Sequence, residues 1–336
     1  MTNKRWKGIV VFISIFIISI LSLTDVGRLM RWEEEGLSRK LGFGLMTYSE
    51  ESVNGIMELM DKIYSEEHCF MMHFDKKTPQ HSVELFVEKY PTVKLTKERF
   101  DISWGSFALV RAQLELAQIE CDYDHLVYLD GMSYPMRPIS HITRELAKIP
   151  RGHSIVFSND PGYGSTIPTC KQGSPTLQAC SRSFATCMDP ECTKYTNTPG
   201  NGPIYKGPQW SILSRDFIKY MFNNRKMLDE WMQFFDSSYM ISDEAFFPTL
   251  LMNSPFRNHH FLFQQDWMRT VWLDCRTEHT ELSSIGWSPC LLGLKDYEPH
   301  LQASTSLFTR KIKVGSDLKM KIFEKYKEPF KAQNVK

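Results

Sequence analysis

Between residues 41 and 158, short apolar runs alternate with segments of helical periodicity. This alternation constrains the fold more than any other feature of the chain. Leu41–Thr47, Cys69–Phe74, Val93–Leu95, His125–Leu129 and Ser154–Ser158 read as strands. Between them, Val53, Ile56, Met57, Met60, Ile63 and Tyr64 fall on one helical face, and Val83–Tyr90, Ser106–Ile119 and Ile139–Ile149 read as further helices. Such an order predicts the α/β class, with a mostly parallel sheet sandwiched by helices. Ligands of these sheets bind at the carboxyl ends of the strands, where Asp75 and Asp130 stand. Residues 160–207 break the pattern and read as a long Cys-rich insertion. After it come a strand at Gln209–Leu213, helices at Arg215–Asn223, Lys226–Phe235 and Asp243–Met252, short strands at His260–Phe263 and Thr270–Leu273, and a final helix over 316–327.

The N-terminus is set apart from this region. Lys4, Arg5 and Lys7 precede an uncharged, Ile- and Val-rich run from Gly8 to Thr24, and no small-x-small cleavage site follows. The expectation is an uncleaved signal-anchor with its basic end in the cytosol, a cleaved signal peptide being the alternative. Either way the remainder enters the secretory lumen, and so short a span suits a Golgi or ER membrane. The expected organisation is a tail and anchor over 1–30, a short stem over 31–40, one folded domain over 41–315 and a C-terminal helix and tail over 316–336. Forty basic side chains against 39 acidic ones, a net charge of +1, give no reason to expect nucleic acid as a partner.

Eight cysteines fit an oxidising compartment. Cys170, Cys180, Cys187 and Cys192 crowd into one Gly/Pro/Ser/Thr-rich stretch without a Cys-x-x-Cys, which favours loop-stapling disulfides over zinc. Cys275 and Cys290 can form another bridge, and Cys69, in an apolar strand, reads as a buried thiol.

Several residue groups offer chemistry. Asp75 ends a strand and can hydrogen-bond a nucleotide, or merely form a turn. At Trp104-Gly105 the glycine permits close backbone approach to a ligand and the tryptophan offers an apolar wall; a core Trp at a tight turn is the plain alternative. Arg310-Lys311 can bind phosphate, or be a routine surface pair. Ser242 reads as a helix N-cap that places Asp243 and Glu244 in the first turn, where acids complement the helix dipole or, as Glu244 would, act as a general base. Gln209-Trp210 presents an indole suited to stacking on a sugar or peptide. Asp122-Tyr123-Asp124 lies before its strand, at the wrong end for a site, and reads as a connector.

The order of His73-Phe74-Asp75-Lys76-Lys77, Ile102-Ser103-Trp104-Gly105, Ser242-Asp243-Glu244-Ala245-Phe246-Phe247 and Ser306-Leu307-Phe308-Thr309-Arg310-Lys311 resembles the core-2/I-branching and peptide O-xylosyltransferase family. The resemblance spans Leu41 to Lys313. It implies a GT-A-type fold and an inverting glycosyltransferase that takes a UDP-sugar, UDP-xylose or UDP-GlcNAc, and delivers it to a protein Ser or a glycan hydroxyl. It implies that Asp75, Trp104 and Gly105 contact the nucleotide, that Arg310 and Lys311 hold the diphosphate, that Glu244 is the base with Asp243 as runner-up, and that Gln209 and Trp210 face the acceptor. It implies no metal and no cofactor: ordinary GT-A enzymes keep Asp-x-Asp at the strand end where this chain has Asp130-Gly131-Met132-Ser133, without the second carboxylate. Ser133 and Gln209 depart from the family's pattern. They favour the rival reading, a catalytically inactive lumenal glycan-binding protein.

Overall fold

The computed structural model describes residues 39–157, 166–167, 198–238, 241–262, 267–272, 274–276 and 288–326. Strand β1 (Leu41–Thr47) lies at the centre, buried along its whole length. β2 (Cys69–Phe74) and β4 (His125–Asp130) flank it, both parallel to it and both fully buried. Beyond β2 lies the short parallel β3 (Lys94–Leu95); beyond β4 lies the antiparallel β8 (Ile212–Ser214). The order β3-β2-β1-β4-β8 is a mixed, mostly parallel sheet, as the alternation predicts. Near-continuous apolar runs belong in this position, because helices must cover both faces.

Helix α1 (Glu50–Ile63) begins at Ser49, whose side chain accepts from the Ser52 backbone in a capping box. It leads to β2, α2 (Gln80–Lys89) leads to β3, and α3 (Phe107–Gln118) leads back to β4. The chain steps outward from β1 to β3 and then returns to the other side of β1. Right-handed crossovers therefore set α3 on the face opposite α1 and α2. The reversal falls between β1 and β4, where the carboxyl ends of both strands open a crevice.

Close approach fixes α1 against this edge. A Cβ on Gly55 would stand 1.8 Å from the Gly131 carbonyl oxygen, just past β4. Gly55→Ala should therefore destabilise the protein by about 1–3 kcal/mol, although alanine in a helix interior normally gains about 1 kcal/mol over glycine. Urea unfolding measures the sign, and a stabilised variant would refute the packing.

A second, three-stranded sheet was not legible in the sequence. β5 (Tyr134–Pro135) pairs antiparallel with β10 (Phe308–Arg310), which pairs parallel with β9 (Met268–Thr270). A separate apolar cluster including Tyr134, Leu292, Ile312 and Leu318 surrounds it, and α8 (Asp317–Lys325) supplies part of that cluster. Further elements are α4 (Ile139–Leu146), the pair β6 (Thr166–Ile167) and β7 (Ile204–Tyr205), α5 (Arg215–Asn223), α6 (Arg225–Ser238) and α7 (Phe246–Met252).

Several expectations change. Cys69 is not a thiol: the α3–β4 connection returns Cys121 to a Cα distance of 6.3 Å, and the two form a disulfide. Cys275 and Cys290 are bridged as expected. Of the expected strand Ser154–Ser158, the described residues 154–157 make only isolated bridges, Ser154 with His260 and Ile155 with Ile212. Ser242 is not a helix cap; it opens a 3₁₀ turn over Ser242–Glu244 and its hydroxyl donates to the Phe235 carbonyl, while the helix proper starts at Phe246. Gly8–Thr24 and the four clustered cysteines lie outside the described residues, among which no helix is long and apolar enough to cross a membrane.

Candidate active site

A cleft of about 670 Å³ opens where β1 and β4 end, next to the second sheet. Cavities of this size hold nucleotide-sized ligands. Its walls come from stretches far apart in the chain: Tyr48 and Asp130 at the strand ends, the 102–105 turn, the 208–210 segment, the acidic turn, and Arg310-Lys311.

Asp130 anchors the floor. Its Oδ1 accepts from the Ser133 hydroxyl at 2.8 Å and from the Met132 amide at 3.1 Å. Its Oδ2 accepts from the Arg310 guanidinium at 2.8 Å, with both side chains largely buried (2% and 10% exposed). Ser133, which stands where a second carboxylate was sought, thus supports the first. The Arg310 guanidinium also lies over the Trp210 ring, 4.7 Å from its centroid, a favourable cation–π geometry. Pairing of β10 with β5 brings Arg310 back to Asp130 across a sequence separation of 180. Lys311 donates to the Ser288 hydroxyl at 2.8 Å, and burial, reinforced by Arg310 and opposed by Asp130, lowers its ammonium to about 8. Among the described residues no cluster of three or more His, Cys, Asp or Glu could hold a metal ion.

The opposite wall is acidic. Ile241, with φ of 63°, turns the chain into Ser242–Glu244. Its amide donates to the carbonyl of Gly105 at 2.9 Å. Gly105 itself has φ of 70°, the left-handed region that favours glycine. The two left-handed residues thus tie the Trp104 turn to the acidic turn. Burial, then repulsion from Glu244, pushes the Asp243 carboxyl up; burial also raises Glu244, against Lys206 and Arg310. The Lys206 ammonium stands 3.6 Å from Glu244 Oε2.

The cleft brings together six of the residues singled out from sequence as UDP-sugar contacts and base: Trp104, Gly105, Asp243, Glu244, Arg310 and Lys311. Gln209 and Trp210 join them. Trp104 is 67% exposed at the rim, whereas Trp210 is buried beneath Arg310. Asp75 does not line the cleft. It is fully buried, and its carboxylate accepts from the Ile102 and Lys77 amides and the Lys77 ammonium, so it holds the 102–105 turn from behind. Asp122 pairs with Lys40 at the far end of β4, a connector as expected. Sequence reasoning missed Tyr48, Lys206 and Arg269. Tyr48 directly follows a predicted strand, the position from which side chains reach such clefts. Its buried hydroxyl lies near Asp130, Arg310 and Asp243, with the Gln209 amide beside it but without a hydrogen bond of good geometry.

Fold and cleft together define an α/β protein with a charged ligand site at the switch point of a mostly parallel sheet. Residues 45–299 match the family model described as Core-2/I-Branching enzyme, and the chain belongs to that family. It is 24% identical to human xylosyltransferase 1 over 289 residues, covering 80% of this chain and 28% of that protein. It is 22% identical to xylosyltransferase oxt of Drosophila pseudoobscura pseudoobscura over 264 residues, covering 73% and 28%. The chain thus spans under a third of the length of these two relatives. Among solved structures, the apo form of mouse xyloside xylosyltransferase 1 aligns with a TM-score of 0.39 and 9% identity, covering 80% of this chain and 97% of that one. Galactosyltransferase LgtC in complex with donor and acceptor sugar analogs aligns with a TM-score of 0.43 and 10% identity, covering 86% and 96%. Scores this low bear on neither site nor chemistry.

Proposed function

We propose that the chain is an inverting glycosyltransferase that moves a sugar from UDP-xylose or UDP-GlcNAc to a protein Ser or a glycan hydroxyl. The observation that carries this reading is the meeting in one cleft of two adjacent cations, the buried Arg310 and the half-buried Lys311, with the carboxylates of Asp243 and Glu244. Family membership supports it, as do relatives named as xylosyltransferases. The Glu244 carboxylate accepts the proton of the acceptor hydroxyl as that oxygen bonds to the sugar C1. The bond from C1 to the phosphate oxygen breaks on the opposite face, and UDP leaves with the electron pair. Arg310 and Lys311 hold the diphosphate and offset its growing charge through charge-assisted contacts. Trp104 and Gly105 bind the nucleotide directly and Asp75 through the turn it braces; Gln209 and Trp210 face the acceptor.

We read the reaction as independent of a divalent metal and of any cofactor. The carboxylate that would ligate a metal, Asp130, is already paired with Arg310 and accepts from two further, neutral donors. The disulfides Cys69–Cys121 and Cys275–Cys290 support passage through an oxidising lumen, with Gly8–Thr24 as the anchor in a Golgi or ER membrane. A panel of UDP-sugars, scored for UDP release with and without chelator, tests the whole reading. Steady release with one donor, unchanged by chelator, is expected. Loss of release on chelation with recovery in Mn²⁺ would overturn the metal-free step. No release from any donor would leave a glycan-binding protein.

A further inference from the structure

The segment carrying Lys206 is clamped on both sides to the acidic turn and the helix that follows it. The Tyr205 amide donates to the Thr249 hydroxyl at 2.9 Å, and that hydroxyl donates to the Tyr205 carbonyl at 3.3 Å. On the other side the Gly207 amide donates to the Glu244 carbonyl at 2.7 Å. A Cβ on Gly207 would stand 1.9 Å from the Val156 carbonyl oxygen and 2.6 Å from the Pro248 ring, so this close passage requires glycine. Lys206 therefore leaves a fixed stretch of backbone, and its side chain, only 17% exposed, points its ammonium at the Glu244 carboxylate. Surface lysines are mobile and their ion pairs contribute little; this one is bracketed and mostly dry.

We propose that Lys206 is a positioning residue for the base: its ammonium fixes the Glu244 carboxylate and keeps it ready to take the acceptor's proton. The inference rests on the reading of Glu244 as base. Facing Glu244 are Asp243 on its own turn, Lys206 and, from β10, Arg310. Asp130, Lys311, Arg269 and Tyr48 line the same cleft. Burial raises the Glu244 carboxyl, and Lys206 is the largest influence opposing that rise. Arg310 is already engaged by Asp130. Without Lys206 the carboxyl would hold its proton to higher pH, leaving less base at any pH on the acid limb.

The test compares Lys206→Met, which keeps the stem, with Lys206→Arg, which keeps the charge, and with Glu244→Gln. Carboxyl ¹³C NMR of glutamate-labelled full-length protein follows Glu244 directly, its signal assigned by its loss in Glu244→Gln. Lys206→Met should move that titration to higher pH and lower UDP release on the acid limb of the pH profile, about tenfold there for a shift of one pKa unit, with the loss shrinking toward the plateau at higher pH. UDP affinity should be unchanged, and Lys206→Arg should restore the wild-type profile. A titration unmoved in Lys206→Met would overturn the inference. So would a loss of rate equal at every pH and not rescued by arginine, because that is the signature of a structural role. Full UDP release by Glu244→Gln would instead remove the base itself, a failure seen without reference to Lys206.

Discussion

Glu244→Gln is expected to slow sugar transfer by about 10²–10⁴-fold, the usual contribution of a general base, while UDP still binds. The amide keeps the size of the carboxylate and can still accept from Lys206, but it cannot take a proton at working pH. The acidic turn should survive the change. Its shape depends on the backbone contacts of Ile241 with Gly105 and of Glu244 with Gly207, neither of which uses the Glu244 side chain. The clamp at Arg310 and Lys311 is untouched, so UDP affinity by calorimetry should stay near wild type. Asp243→Asn is the control. Asp243 shares the turn, the burial and the sign of charge, so a purely electrostatic or structural role for the pair would slow both variants alike. Comparable losses in both, or normal turnover in Glu244→Gln, would remove Glu244 from the mechanism.

The two halves of this site were not equally legible in the sequence. β1 and β2 occupy the predicted bounds, Leu41–Thr47 and Cys69–Phe74, because long apolar runs buried on both faces leave little freedom of register. The site residues at or near their carboxyl ends follow directly. The second sheet has strands of two or three residues, too short to show a period, so nothing in the sequence placed Arg310 opposite Asp130. Ser242-Asp243-Glu244 carries a helix-start signature, yet the left-handed Ile241 just before it and the tie to Gly105 produce a 3₁₀ turn. Tertiary contacts outweighed the local signal. Lys206 stood in a Gly- and Pro-rich stretch with no periodicity to orient it; the fit of Gly207 against Val156 and Pro248 and the hydrogen bonds of Tyr205 and Gly207 bring it to the acid. Asp75 was legible as important but not in its role: the sequence shows a carboxylate at a strand end, not the backbone amides of Lys77 and Ile102 that occupy it.

Arg310→Ala should show two separable losses. The first is stability. Removing the guanidinium strands the Asp130 carboxylate, 2% exposed, with only Ser133 and the Met132 amide as donors. Breaking a buried ion pair from one side costs about 3–5 kcal/mol. The lost contact with the Trp210 ring adds about 0.5–2 kcal/mol. The second loss is in donor binding. A charge-assisted contact to phosphate is worth about 1.5–3 kcal/mol, so UDP affinity should fall roughly ten- to hundredfold. Lys311→Ala should show the second loss with little of the first, because Lys311 is hydrogen-bonded to the neutral Ser288 rather than paired to a buried acid. Adding Asp130→Asn to Arg310→Ala separates the two effects. Asparagine can keep its carbonyl toward Ser133 and Met132 and carries no charge, so most of the lost stability should return. The lost UDP affinity should not, since the phosphate still lacks its cation. Thermal unfolding and calorimetry on the same preparations read both quantities. If the double variant regains wild-type UDP affinity along with its stability, Arg310 serves Asp130 alone, and the diphosphate clamp would have to be sought elsewhere in the cleft.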